Sequence, residues 1–105
     1  MTKVTGEAAT PDAARVIRRL CRHWAHKFPV KFDDTSGEIQ INDVRVAMQA
    51  SAETLHVVLE NPAGDVPERL PGVVADHLVR MAGTEPALQV RWNTIEAQPA
   101  IDIQK

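Results

Sequence analysis

The chain has 105 residues, of which 44% are hydrophobic, 25% charged and 4% aromatic, a composition that suits one soluble domain with one core and leaves too little chain for two. No apolar run approaches the ~18 residues of a membrane span, and residues 1–10 lack the apolar stretch of a secretory signal. Cys21 is the single cysteine, so an internal disulfide is excluded and a reducing cytoplasm is the expected compartment.

The charge is uneven. Residues 1–31 carry seven basic and two acidic groups, net +5, whereas residues 32–105 carry five basic and twelve acidic groups, net −7. The near-neutral total argues against a nucleic-acid partner, which needs a broad cationic surface. A basic first segment on an acidic body instead suits a docking face.

In chain order, residues 1–9 are small and polar and read as a disordered lead-in. Thr10-Pro11-Asp12 has the chemistry of a helix start, a hydroxyl cap followed by proline and an acid. Ala13, Ile17, Leu20, Cys21, Trp24 and Phe28 then recur at three and four, the apolar stripe of an amphipathic helix that Pro29 ends. Short strands follow. Val30 and Phe32 alternate with polar residues, then Ile39 and Ile41, then Val44, Val46 and Met48. The alternation breaks at Asn42-Asp43, as a two-residue hairpin turn requires, which sets Ile41 opposite Val44 and Ile39 opposite Val46 on one face. Thr54 to Glu60 forms a further strand with Leu55, Val57 and Leu59 inward.

Asp65-Val66-Pro67-Glu68 resembles a capping box ahead of a second helix bearing Leu70, Val73, Val74, His77, Leu78 and Met81. Pro71-Gly72 either kinks this helix or marks where its regular part begins. Gly83 to Pro86 stops it, and Leu88, Val90 and Trp92 alternate as a last strand before a loose tail over residues 94–105. Residues 10–93 thus read as a single α+β domain. The order α-β-β-β-β-α-β predicts a two-layer sandwich: an antiparallel sheet of four to five strands with two helices on one face. The inward strand positions, Trp24 and Trp92 form the expected core. The opposite sheet face, from Lys31 through Glu38, Arg45, His56 and Glu60 to Arg91, carries mixed charges without aromatics and reads as solvated surface.

Three groups of residues are candidates for a site. Arg15, Arg18, Arg19 and Arg22 fall opposite the apolar stripe at ~100° per residue, and His26 belongs with them. Like charges at this spacing repel, so the stripe suits an acidic protein or an anionic ligand, whose carboxylate or phosphate fits the guanidinium fork. His23 flanks the core, and His77 lies within the apolar stripe of the second helix. A buried imidazole needs a partner. For His77 that is either a carbonyl or a side chain of the first helix, or His23 itself in a pH-sensitive pair or ligand pocket. His23 and His26 alone make a poor metal site, because no further ligands stand at zinc spacings, so neither a metal nor a cofactor is expected. Cys21 lies on the other side of the helix from His23 and reads as an inert thiol. No nucleophile–base–orienter set can be assembled, and no catalytic residue is assigned.

The segment Arg18-Arg19-Leu20-Cys21-Arg22-His23-Trp24-Ala25-His26-Lys27-Phe28 resembles the signature of the bacterial family called domain of unknown function 2218. Val73 to Met81 and Val90-Arg91-Trp92 resemble its later blocks. The resemblance implies a small α+β domain of unestablished role, found beside or fused to siderophore-interacting flavoproteins. The expected function is therefore a non-catalytic accessory or binding module, associated with iron or siderophore use. The alternative is an enzyme or a metal- or ligand-binding protein using the His23/His77 region. A homodimer through the open sheet face or an edge strand is compatible with either.

Overall fold

A computed structural model describes residues 2–84 and 87–94. The elements are β1 (Thr2–Ala9), α1 (Ala13–Trp24), β2 (Val30–Phe32), β3 (Ser36–Ile41), β4 (Val44–Ala50), β5 (Thr54–Asn61), α2 (Leu70–Ala82) and β6 (Arg91–Thr94). The strands form one six-stranded sheet in the order β2-β3-β4-β5-β1-β6, antiparallel at every pairing. Buried residues of both helices join those of the strands in a single core cluster. The architecture is the expected α+β sandwich with two helices over an antiparallel sheet. Among the described residues, no helix is long and apolar enough to cross a membrane.

The first correction concerns residues 1–9, read above as a disordered lead-in. Thr2–Ala9 of this segment form β1, which pairs with β5 from Thr2↔Asn61 to Ala9↔Thr54 and, from Val4 to Glu7, with β6 on its other side. Six strands therefore replace four to five, and the order is β-α-β-β-β-β-α-β. Val4, Gly6 and Ala8 do alternate inward, but with a glycine and an alanine the pattern lacks the bulk that marks a strand. Gly6 is small for a reason. A Cβ placed there would lie 2.5 Å from Cε3 of Trp92, so the indole lies on the helix-side face against Gly6.

The β3–β4 hairpin has the expected register, with Ile41↔Val44 and Ile39↔Val46 paired. Asn42 takes the left-handed conformation (φ 55°) that a tight hairpin turn demands. Before the hairpin, Asp33 Oδ1 accepts the N–H groups of Thr35 and Ser36 and the hydroxyl of Ser36, at 3.0, 2.8 and 2.9 Å. These donors hold its carboxyl below the ordinary carboxylate range. Phe32, expected inward, is 42% exposed. β2 is a three-residue edge strand, and α1 covers chiefly β3 and β4.

Both helix starts differ from the sequence reading. α1 begins at Ala13 with Asp12 in the N-cap position and no side-chain cap; Thr10 Oγ1 instead accepts the Asp12 N–H at 3.1 Å. The helix ends at Trp24 rather than Phe28. One further turn, with Phe28 N–H donating to Trp24 O at 2.9 Å, lays the Phe28 ring edge-on to Trp24 at 5.9 Å and 87°. α2 begins at Leu70, later than the Asp65–Glu68 pattern implied: Arg69 is the N-cap without a side-chain cap bond, and Pro71 sits in the first turn, where its missing N–H has no helical partner to lose. The preceding loop is held by Asn61, whose Nδ2 donates to Asp65 O (2.9 Å) and whose Oδ1 accepts Ala63 N–H (3.0 Å). Gly83, left-handed at φ 58°, closes the helix with its N–H on Val79 O. β6 begins at Arg91, later than the expected Leu88, and Leu88 is buried ahead of it. The expected loose tail over 94–105 lies outside the described residues beyond Thr94, whose backbone belongs to β6.

Candidate functional site

The amphipathic stripe orients α1. Ala13, Val16, Ile17, Leu20, Cys21 and Trp24 face the sheet, which turns the arginines away from it. They do not form one uniform face. Arg15 Nη2 pairs with Asp12 Oδ2 at 3.2 Å, one turn earlier. Arg19 Nη1 donates to Met81 O at 3.0 Å, so Arg19, counted above with the free basic face, instead caps the C-terminal turn of α2. The cause is packing: α2 runs along the flank of α1 that carries Arg19 and, one turn on, His23. A cation there also meets the negative end of the α2 dipole. Arg18 and Arg22 have no ion-pair or hydrogen-bond partner among the described residues, and Arg22 and His26 are exposed.

The same packing brings His23 and His77 together. Their ring centroids are 5.7 Å apart at an interplanar angle of 42°, and the His77 ring also lies against Trp24 at 4.7 Å. His77 Nδ1 is 2.8 Å from Val73 O, one turn back on α2. A carbonyl oxygen can only accept, so Nδ1 carries the proton and Nε2 holds the lone pair. Both accounts weighed for His77 therefore describe its surroundings: a carbonyl partner at one nitrogen, and His23 beside the ring. His77 is half-buried and His23 exposed.

Cys21 is separate from this pair. Its Sγ lies against β3, where a Cβ on Gly37 would come within 2.7 Å of it and of Ile17 Cγ2. Burial pushes the thiol up to about 11, although the backbone amide of Glu38 favours the thiolate. At neutral pH it is a protonated, inaccessible group and a poor nucleophile. Among the described residues no three His, Cys, Asp or Glu side chains converge as a metal cluster.

The open sheet face carries ion pairs instead. Arg45 bridges Glu38 (2.8 Å) and Glu60 (3.6 Å), Lys3 reaches Glu60 (3.7 Å), and Arg91 pairs with Glu7 (3.1 Å). Glu38 holds the Arg45 guanidinium deeper in its protonated range through a hydrogen bond and its charge. These cations are internally matched.

The sequence reading missed the Arg19–Met81 contact and the ring of Trp24 over His77, because both join residues far apart in the chain. It also missed a concavity of about 400 Å³ lined by Ile41, Val44, Leu70 and Val73 together with Asp43 and Arg69. Neither His23 nor His77 lines it.

The chain is similar to a protein of Pseudomonas aeruginosa, PA4090, whose structure was determined by NMR: TM-score 0.69, 35% identity, covering 89% of this chain and 96% of that one. None of the curated proteins matches. The model of a family described as "Uncharacterized protein conserved in bacteria (DUF2218)" matches residues 5–93, from within β1 to all but the last residue of β6. With that span matched, the chain belongs to this bacterial family.

Proposed function

We propose that this domain is a non-catalytic binding module that presents the outer face of α1 to an acidic protein surface. One contrast supports the reading. Lys3, Arg45 and Arg91 on the sheet are matched to acids within the fold, whereas Arg18 and Arg22, one turn apart on α1, have no such partner among the described residues. Like charges at this spacing cost a helix a few tenths of a kcal/mol, and no acid among the described residues pairs with either to relieve them. His26, exposed beyond the end of the helix, extends the same face; Arg15 stands at its other end, engaged with Asp12.

The reducing cytoplasm expected from the single cysteine, together with the siderophore-interacting flavoproteins beside which the family resemblance places such domains, would supply a partner of this kind. Binding through exposed guanidinium groups is steered electrostatically and weakens with salt. The test is an NMR titration of the isotope-labelled protein with a polyglutamate peptide at low and at ~300 mM salt. Shift changes confined to residues 15–26, lost at high salt and weakened at least ~10-fold by Arg18→Glu/Arg22→Glu, are the expected result. Equal binding by the double variant, or shifts centred on the sheet face, would overturn the proposal.

A further inference from the structure

We infer that His23 and His77 form an interhelical site for a late first-row divalent cation, with Cu²⁺ held most tightly and Ni²⁺ and Zn²⁺ after it. The inference is independent of the docking face on α1. Three observations carry it, and the first is spacing. An imidazole nitrogen binds such a metal at ~2.0–2.1 Å, which places the ion roughly 3.2 Å from each ring centroid once the ring radius is added. Two rings sharing one ion then have centroids ~5.2 Å apart at a tetrahedral angle and ~6.4 Å apart when collinear. The observed 5.7 Å falls between these limits.

The second observation is the tautomer. Metal-bound histidines almost always donate their other ring N–H to a carbonyl or carboxylate, which orients the ring and raises its basicity. His77 already does so, through Nδ1 to Val73 O at 2.8 Å, and this leaves Nε2 as the ligand atom. Trp24 restrains the same ring from one side at 4.7 Å, so little side-chain freedom remains to be lost on binding. The third is position. His23 lies in the last turn of α1, where the helix dipole favours a cation, and neither of its nitrogens is engaged among the described residues.

Two imidazoles leave the remaining coordination positions to solvent. Arg19 and Arg22 near His23 oppose a cation, so the site is a modest, exchangeable binder. The order Cu²⁺ > Ni²⁺ and Zn²⁺ follows from the general affinity sequence of divalent ions for nitrogen ligands. This is not the His23–His26 arrangement, which stays within one helix. The interhelical pairing makes the bound ion a clamp between α1 and α2, so binding stabilises the fold in proportion to ion concentration over its dissociation constant.

The test uses chelator-treated protein titrated with CuCl₂, NiCl₂ and ZnCl₂ by calorimetry and thermal melting, with Cu²⁺ electron paramagnetic resonance to count equatorial nitrogens. The expected outcome is one ion per chain, a raised melting temperature and two imidazole nitrogens on Cu²⁺. His23→Ala and His77→Ala should each weaken binding at least ~10-fold and leave one nitrogen, while His26→Ala and His56→Ala leave it unchanged. His23 is exposed, so His23→Ala keeps the fold even where His77→Ala loosens it. Loss of binding in His26→Ala to the same degree as in His23→Ala, retention of binding in His23→Ala, or no stoichiometric ion at all would each overturn the inference.

Discussion

Gly6→Ala tests the packing of the N-terminal strand directly. The added methyl would fall 2.5 Å from Cε3 and 2.8 Å from Cζ3 of Trp92, whereas carbon atoms pack favourably at ~3.5–4.0 Å. The indole must therefore retreat by about 1 Å or more. It has somewhere to go, because β6 is a four-residue strand at the edge of the sheet that pairs with β1 alone among the described strands, and a retreat costs the β1–β6 pairing. Overpacking of this kind costs about 1–3 kcal/mol. In a domain of this size that lowers the melting temperature by roughly 4 °C per kcal/mol. The sign reverses once the ring is removed: in a Trp92→Ala background the three nearest atoms to the methyl are gone, and replacing a mid-strand glycine by alanine should gain about 0.5–1 kcal/mol. The assay is a double-mutant cycle by urea unfolding, with tryptophan emission recorded in parallel. Trp24 is 5% exposed and common to every variant, so a red shift in Gly6→Ala reports Trp92. An unchanged midpoint and emission in Gly6→Ala, or an equal cost with and without the Trp92 ring, would refute this account of β1.

Gly37→Ala should cost about 1–3 kcal/mol, because its Cβ would meet Cys21 Sγ and Ile17 Cγ2, both at 2.7 Å. Adding Cys21→Ala should recover only part of that loss, since Ile17 still blocks the site; urea midpoints of the three variants decide it. The raised thiol pKa of Cys21, about 11 against an ordinary 9.0, makes its stabilising contribution complete below pH 9 and lost as pH rises towards 11. In that window the unfolded thiol ionises first. Wild-type stability should fall more steeply than that of Cys21→Ala between pH 9 and 11, by at most about 1.4 kcal/mol per pH unit; parallel profiles would show that burial does not hold the thiol neutral. Arg19→Ala should remove the Met81 cap at a cost of about 0.5–1 kcal/mol and speed amide exchange in the last turn of α2 relative to its middle. Uniform exchange in wild type and variant would show that the contact does not hold that turn.

Much of the fold was legible because its signals are local. The α1 stripe places six buried side chains at helical spacing, and the phase break at Asn42-Asp43 fixes which residues of β3 and β4 oppose one another. β1 escaped because two of its inward positions, Gly6 and Ala8, are small, and at Gly6 the Trp92 ring occupies the space that a side chain would need. The capping-box pattern at Asp65 to Glu68 did not mark the start of α2, because the chain there belongs to a loop that Asn61 holds through contacts two and four residues away, and the helix begins only at Leu70. In the candidate site, the outward direction of Arg18 and Arg22 followed from periodicity alone, whereas the partner of His77 stayed open between a carbonyl, a side chain of the first helix and His23.

By itself the sequence determined the two-layer class, the hairpin register and the basic side of the first helix, since each follows from spacings of two to four residues along one element. The tertiary structure alone decided that Arg19 is spent on an α2 carbonyl, that His77 has both a carbonyl of its own helix and the His23 ring beside it, and that Thr2–Ala9 form a strand paired with β5 along its length and with β6 from Val4 to Glu7. Those outcomes depend on how closely two elements approach and at what angle. That distance is set by the absence of a side chain at Gly6 and Gly37 and by the bulk of Trp24, which come from separate stretches of chain and leave no joint periodicity to read.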